Sequence, residues 1–173
     1  MKLLLFTFCL IFTSNIGMTQ VNLTDSNLPI VVITTPVGQT INDAIKVVCD
    51  MGVIDNPAGV RNYITDPFNN YNGKIAIEIR GSTSQQYPKK GYGFETQDLA
   101  GANNNVSLMG LPVENDWIFY GPYPDKTMIR NMLTYSLSRK MGHYASNFRC
   151  CELIINNEYL GVYILLERIK RDN

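Results

Sequence analysis

KIAIEIRGSTSQQYPKKGYGFET, Lys74 to Thr96, carries the reading of this chain. Ile75, Ile77 and Ile79 alternate with polar or small residues, the period of a strand with one buried face. Arg80-Gly81 and the hydroxyl-rich Ser82-Thr83-Ser84 interrupt that pattern, and a second strand opens on Lys89 and Lys90. Strand, polar loop and basic strand together suit a polyphosphate. The loop offers donors from above and an ammonium group reaches in from the side.

Upstream, Leu28 to Thr34 is a β-branched run closed by the turn Pro36-Val37-Gly38, and Ile45 to Cys49 reads as a second strand. Asp50 to Asn72, rich in Gly, Asn, Pro and Asp, reads as a long loop or insertion. Downstream, Gln97 to Asn105 is a polar loop and Asp116 to Gly121 a short aromatic strand. Asp125 to Met141 is predicted helical, with Asp125 as N-cap and Gly142 at the left-handed position beyond the last turn. Ile129, Met132, Leu133, Leu137 and Met141 form its apolar stripe. Arg149 to Ile155 and Tyr159 to Glu167 are strands joined through Asn156-Asn157, a hairpin signal. One helix on a mostly antiparallel sheet gives the expected class, α+β.

The chain has 173 residues and 45% hydrophobic content, enough for one domain with a core. Residues 1–19 read as an export signal: Lys2, then the apolar run Leu3 to Phe12, then small and polar residues before Gln20. The run is too short for a stable membrane span. Export to the periplasm, cell surface or medium follows. Fifteen basic residues balance fifteen acidic ones. Removing Lys2 gives 14 − 15 = −1, so no strong field points to nucleic acid or an anionic membrane. Cys49, Cys150 and Cys151 then remain as an odd count without zinc-ligand spacing, and are read as plain buried thiols.

Three segments in order resemble the CotH kinase family, the spore-coat-protein-H-like atypical protein kinases, in its longer exported bacterial members. They are IEIRGSTSQQYPKKGYGFET from Ile77, LMGLPVENDWIFYGPYPDKTMIRNMLTYSLSRKMGHYA from Leu108, and RCCELIINNEYLGVYILLERIKRD from Arg149. The resemblance implies ATP- and Mg2+-dependent phosphate transfer to Ser/Thr of a protein substrate. It also implies a fold like the N-terminal lobe of a protein kinase, a lobe whose order of elements this chain follows. The kinase-like domain is expected over residues 28–173. The family's catalytic and magnesium-binding carboxylates lie further on, so no catalytic or metal-binding residue is assigned here. Glu167 to Asp172 and the end at Asn173 read as the end of a fragment with the C-terminal lobe missing, expected to be inactive by itself.

By position, Arg80, Gly81 and Ser82 fall on the family's RGxSS-type loop, with Thr83 and Ser84 beside them, and Lys89 and Lys90 fall on its PKK motif. Asp125, Arg130 and Asn131 match its helix start, and Gly161, Tyr163 and Glu167 its GxYxLxE strand. Gly91 stands where many relatives carry serine. The lysines alternate across the strand, and the sequence does not say which one meets phosphate. Arg80 either contacts phosphate or pairs with Glu152 or Glu95. Arg130 either contacts nucleotide or locks the helix to the sheet. Residues 82–84 suit either phosphate binding or an ordinary hairpin loop. Glu167 to Ile169 should sit at a hinge that bonds adenine. The alternative to a kinase is a non-catalytic exported surface or adhesion module that keeps the fold.

Overall fold

A computed structural model describes residues 22–170, and among these β-branched and aromatic residues at alternating positions build the longer of nine strands and leave one α-helix. The strands are β1 (Asp25–Ser26), β2 (Ile30–Thr34), β3 (Val47–Ile54), β4 (Asn62–Tyr63), β5 (Tyr71–Arg80), β6 (Gly91–Gln97), β7 (Asp116–Tyr120), β8 (Phe148–Ile155) and β9 (Glu158–Glu167). The helix, α1, spans Arg130–Lys140. The expected export signal lies outside the described residues.

Seven strands close into a barrel in the order β2-β3-β5-β6-β7-β9-β8. Neighbours pair antiparallel except at the closure, where β2 runs parallel to β8 with Val31 opposite Leu153 and Ile33 opposite Ile155. Closure leaves no open sheet edge. The alternating residues fill the interior: Ile33, Met51, Ile75, Ile77, Phe94, Trp117, Phe119, Leu153, Tyr163 and Leu165 are buried in one cluster. The rings of Phe94 and Phe119 stack there with centroids 4.6 Å apart. A smaller cluster, Ile30, Ile54 and Ile154, is packed by Leu23 and Tyr159. β1 and β4 pair as a separate two-stranded ribbon.

This architecture corrects the expected α+β class. The molecule is mostly β, a closed mixed barrel with one helix, and not an antiparallel sheet with a principal helix in the manner of a kinase N-terminal lobe. Because the barrel buries its strands' apolar faces against one another, no helix is required to cover them. Accordingly α1 contains no buried residue. Ile129, Leu133, Leu137 and Met141 are 53%, 55%, 51% and 72% exposed. Met132 alone of the predicted stripe turns inward, its sulfur 3.4 Å from that of Cys150.

The helix also starts later than predicted. Asp125 acts from five residues upstream: its Oδ2 accepts the Arg130 N–H at 3.0 Å and its Oδ1 accepts the Thr127 hydroxyl at 2.6 Å. Gly142 follows the helix at φ 81° and Asn156 and Asn157 turn the β8–β9 hairpin at 51° and 66°, as their residue types require. The stretch read as a loop from Asp50 contains the second half of β3, which gains its partners on both sides from β2 and β5. Cys49, Cys150 and Cys151 are free thiols, the last fully buried.

Candidate functional site

The β5–β6 loop is shaped by its own polar groups. Gly81 at φ 115° gives the chain a reversal that a side chain would block, since a Cβ there would collide with Ser84 Oγ. A single 3-10 turn, Thr83–Gln86, follows. Gln85 donates through Nε2 to the Gly81 carbonyl at 2.6 Å, and Lys90 Nζ donates to the Gln85 carbonyl at 2.6 Å. At the far end of the loop the Tyr87 ring stacks on Tyr123, centroids 5.3 Å apart, which ties the loop to the segment leading into α1.

Between this loop, β7, β9 and α1 lies a cleft of about 630 Å³, within the size range of small-ligand sites. Arg80, Gly81, Ser84 and Lys89 line it from the loop side, Asn131 and Tyr135 from the helix, and Glu167, Arg168 and Ile169 from the end of β9. Of the residues expected at a site, Arg80, Gly81, Ser84, Lys89 and Glu167 therefore share one cavity. Ser82, Thr83, Lys90 and Arg130 do not line it.

The two adjacent lysines part company. Lys89 Nζ donates to the Leu160 carbonyl at 2.7 Å and lies 4.1 Å from the centre of the Tyr163 ring. Burial pushes its pKa down, opposed by the charges of Glu152 and Cys151. An ammonium group has three donors, so the carbonyl leaves capacity for an anion. Lys90 instead holds the loop, as its bond to Gln85 shows. Both lysines lie in the loop ahead of β6 and not on the strand expected to open with them, and Tyr163 donates its hydroxyl to the Lys90 carbonyl at 2.9 Å, fixing the backbone where β6 begins.

The Arg80 guanidinium makes no hydrogen bond or ion pair among the described residues; Glu95 is paired with Lys46, and Glu152 accepts from Ser26 and Tyr159 hydroxyls. Neither carboxylate considered as its partner is available. Burial, and then the positive charge of Arg168, holds the Arg80 guanidinium below its usual value, with Glu78 and Tyr135 acting the other way. Arg130 pairs with Asp125 at 3.4 Å. Glu167 is occupied too: its carboxylate accepts the Asn147 backbone N–H at 3.0 Å and the Asn147 amide at 3.2 Å. The Arg168 N–H, at the expected hinge, donates to the Asp116 carbonyl at 3.1 Å.

The arrangement can hold an anion. Among the described residues three cationic side chains, Arg80, Lys89 and Arg168, line the cleft with a single carboxylate, Glu167, which is held by Asn147. This donor set fits the phosphates of a nucleotide. Among the described residues no three His, Cys, Asp or Glu side chains converge. Tyr87 and Tyr135 are cleft residues that the sequence did not assign, while Asn131 was matched only to a helix start and Arg168 only to a hinge acting through its backbone. Arg168 stands inside the charged run that closes the chain, where a guanidinium has no distinguishing pattern.

The family described as CotH kinase protein matches residues 77–173, a segment that contains every residue lining the cleft. No curated protein matches the chain.

Proposed function

Because this chain belongs to the CotH kinase family, we propose that its cleft binds the phosphates of ATP in a protein kinase acting on Ser/Thr of exported proteins. The observation that carries the reading is a pair of cations on one cavity: the exposed guanidinium of Arg80, which no described carboxylate pairs, lines the cleft together with the ammonium group of Lys89. Cations gathered on one cavity attract an incoming polyphosphate. Lys89 supplies a fixed point charge, and Arg80 a fork that can take two phosphate oxygens.

The described residues support binding and positioning. Bound Mg2+ would neutralise charge on the phosphates, but its ligands are not assigned to these residues. Nor is a general base, since Glu167 is held by Asn147. The N-terminal apolar run supports placing the protein outside the cytoplasm, and no helix among the described residues is long and apolar enough to cross a membrane.

One observation favours the second reading, a non-catalytic exported surface or adhesion module: the outward apolar row of α1 is a contact surface of the kind such a module would use. Calorimetry with ATP separates the two. Saturable binding that disappears in Lys89→Met and Arg80→Met supports the kinase reading. Absence of ATP binding by the folded wild-type chain rejects it.

A further inference from the structure

Arg168 follows the last residue of β9 and lines two adjoining cavities, the cleft and a neighbouring space of about 220 Å³. Arg80 lines both as well, so two guanidinium groups border one opening. Arg168 is only loosely held. Its Nη1 lies 3.6 Å from Asp116 Oδ1, beyond a charge-assisted hydrogen bond, and its side chain is 54% exposed. Asp116 has a second partner: Lys170 Nζ lies 3.2 Å from its Oδ2 and 2.7 Å from Glu114 Oε1. If Arg168 moves away, Asp116 keeps a counter-charge from Lys170.

We propose that Arg168 is a second phosphate-holding residue, resting against Asp116 and turning with Arg80 onto a phosphate group when the nucleotide binds. The inference rests on the nucleotide reading of the cleft. It assigns Asp116 the part of a resting counter-ion that competes with the ligand for Arg168. The like charges of Arg80 and Arg168 oppose each other at rest, and an anion placed between them turns that repulsion into a two-sided attraction. Arg168 thereby favours ligands by their phosphate charge and makes no demand on the base.

The test is calorimetry on the full chain with ATP, inorganic tripolyphosphate and adenosine, using Arg168→Met, Asp116→Asn and the double variant. Arg168→Met is expected to weaken ATP and tripolyphosphate about tenfold and leave adenosine unchanged. Asp116→Asn should tighten both phosphate ligands several-fold, and that gain should disappear when Arg168 is methionine. A folded Arg168→Met protein that binds ATP like the wild type overturns the inference while the nucleotide reading stands. So does an Asp116→Asn gain that persists without Arg168, or a loss shared equally by adenosine. If the wild type binds neither ATP nor tripolyphosphate, the nucleotide reading itself fails and takes the inference with it.

Discussion

Lys89 Nζ lies 4.1 Å from the centre of the Tyr163 ring, and the Tyr163 hydroxyl reaches past it to the carbonyl of Lys90 at 2.9 Å. One tyrosine thus sets the position of the cleft's ammonium group and of the backbone that carries it. Lys89→Met should weaken ATP binding tenfold or more (~1.4 kcal/mol per decade) without changing the loop. Lys90→Met should act in the opposite sense, raising hydrogen exchange across residues 81–88 with a smaller loss of affinity. Exchange mass spectrometry and calorimetry on both variants read the split. Equal effects on both measurements would show the lysines doing one job.

Gly121 is a packing point behind Lys89. A Cβ there would stand 3.0 Å from Lys89 Cγ, from the Lys90 carbonyl oxygen and from Tyr163 Cε1. Two of these neighbours are a backbone oxygen and a buried ring, which cannot move aside cheaply. Gly121→Ala is expected to cost about 1–3 kcal/mol and to lower ATP affinity by displacing Lys89. Thermal unfolding and calorimetry measure the two effects. An unchanged Tm would contradict the packing argument.

Asp125 ties acid stability to the start of α1. The Thr127 hydroxyl, then the backbone N–H groups of Arg130 and Thr127, hold its carboxyl below the ordinary value of 3.8, against the effect of burial. A depressed carboxylate contributes stability that is present above its unfolded pKa and lost as pH falls through the folded one. Wild-type Tm should therefore drop below about pH 4. Asp125→Asn should lower Tm at pH 7 and flatten the acid slope, with Asp25 and Glu114 maintaining the remainder. A parallel pair of Tm-against-pH curves would remove Asp125 from the account.

The outward row of α1 should tolerate charge. Leu133→Glu and Leu137→Lys replace half-exposed side chains, so each should change stability by no more than about 0.5 kcal/mol. Leu165→Ala, inside the barrel, should cost about 2–5 kcal/mol. Chemical denaturation compares them directly. Comparable losses at Leu133 and Leu165 would mean that the helix face is packed.

What could be read from the sequence was local. Alternation placed Ile75 and Ile77 on one buried face, and the paired asparagines located the hairpin turn. Both depend on neighbours within a few residues. Barrel closure depends on β2 meeting β8, with Ile30 opposite Glu152, and no short-range pattern reports a pairing across that separation. The stripe on α1 was misread for a related reason. Amphipathic spacing shows that a helix has two faces, while the topology decides which face meets the protein. For the site, the loop and Lys89 were legible through motif order. Arg168 was legible only as a hinge position, and its side chain was not, because its importance comes from sharing a cavity with Arg80.

The matched family segment begins at Ile77, inside β5, yet β2 and β3 are staves of the same vessel and lie upstream of it. A polypeptide trimmed to the matched boundary would lose two staves and half of a third. β8 and the remainder of β5 would then stand as raw margins, inviting association with other chains in place of a watertight wall.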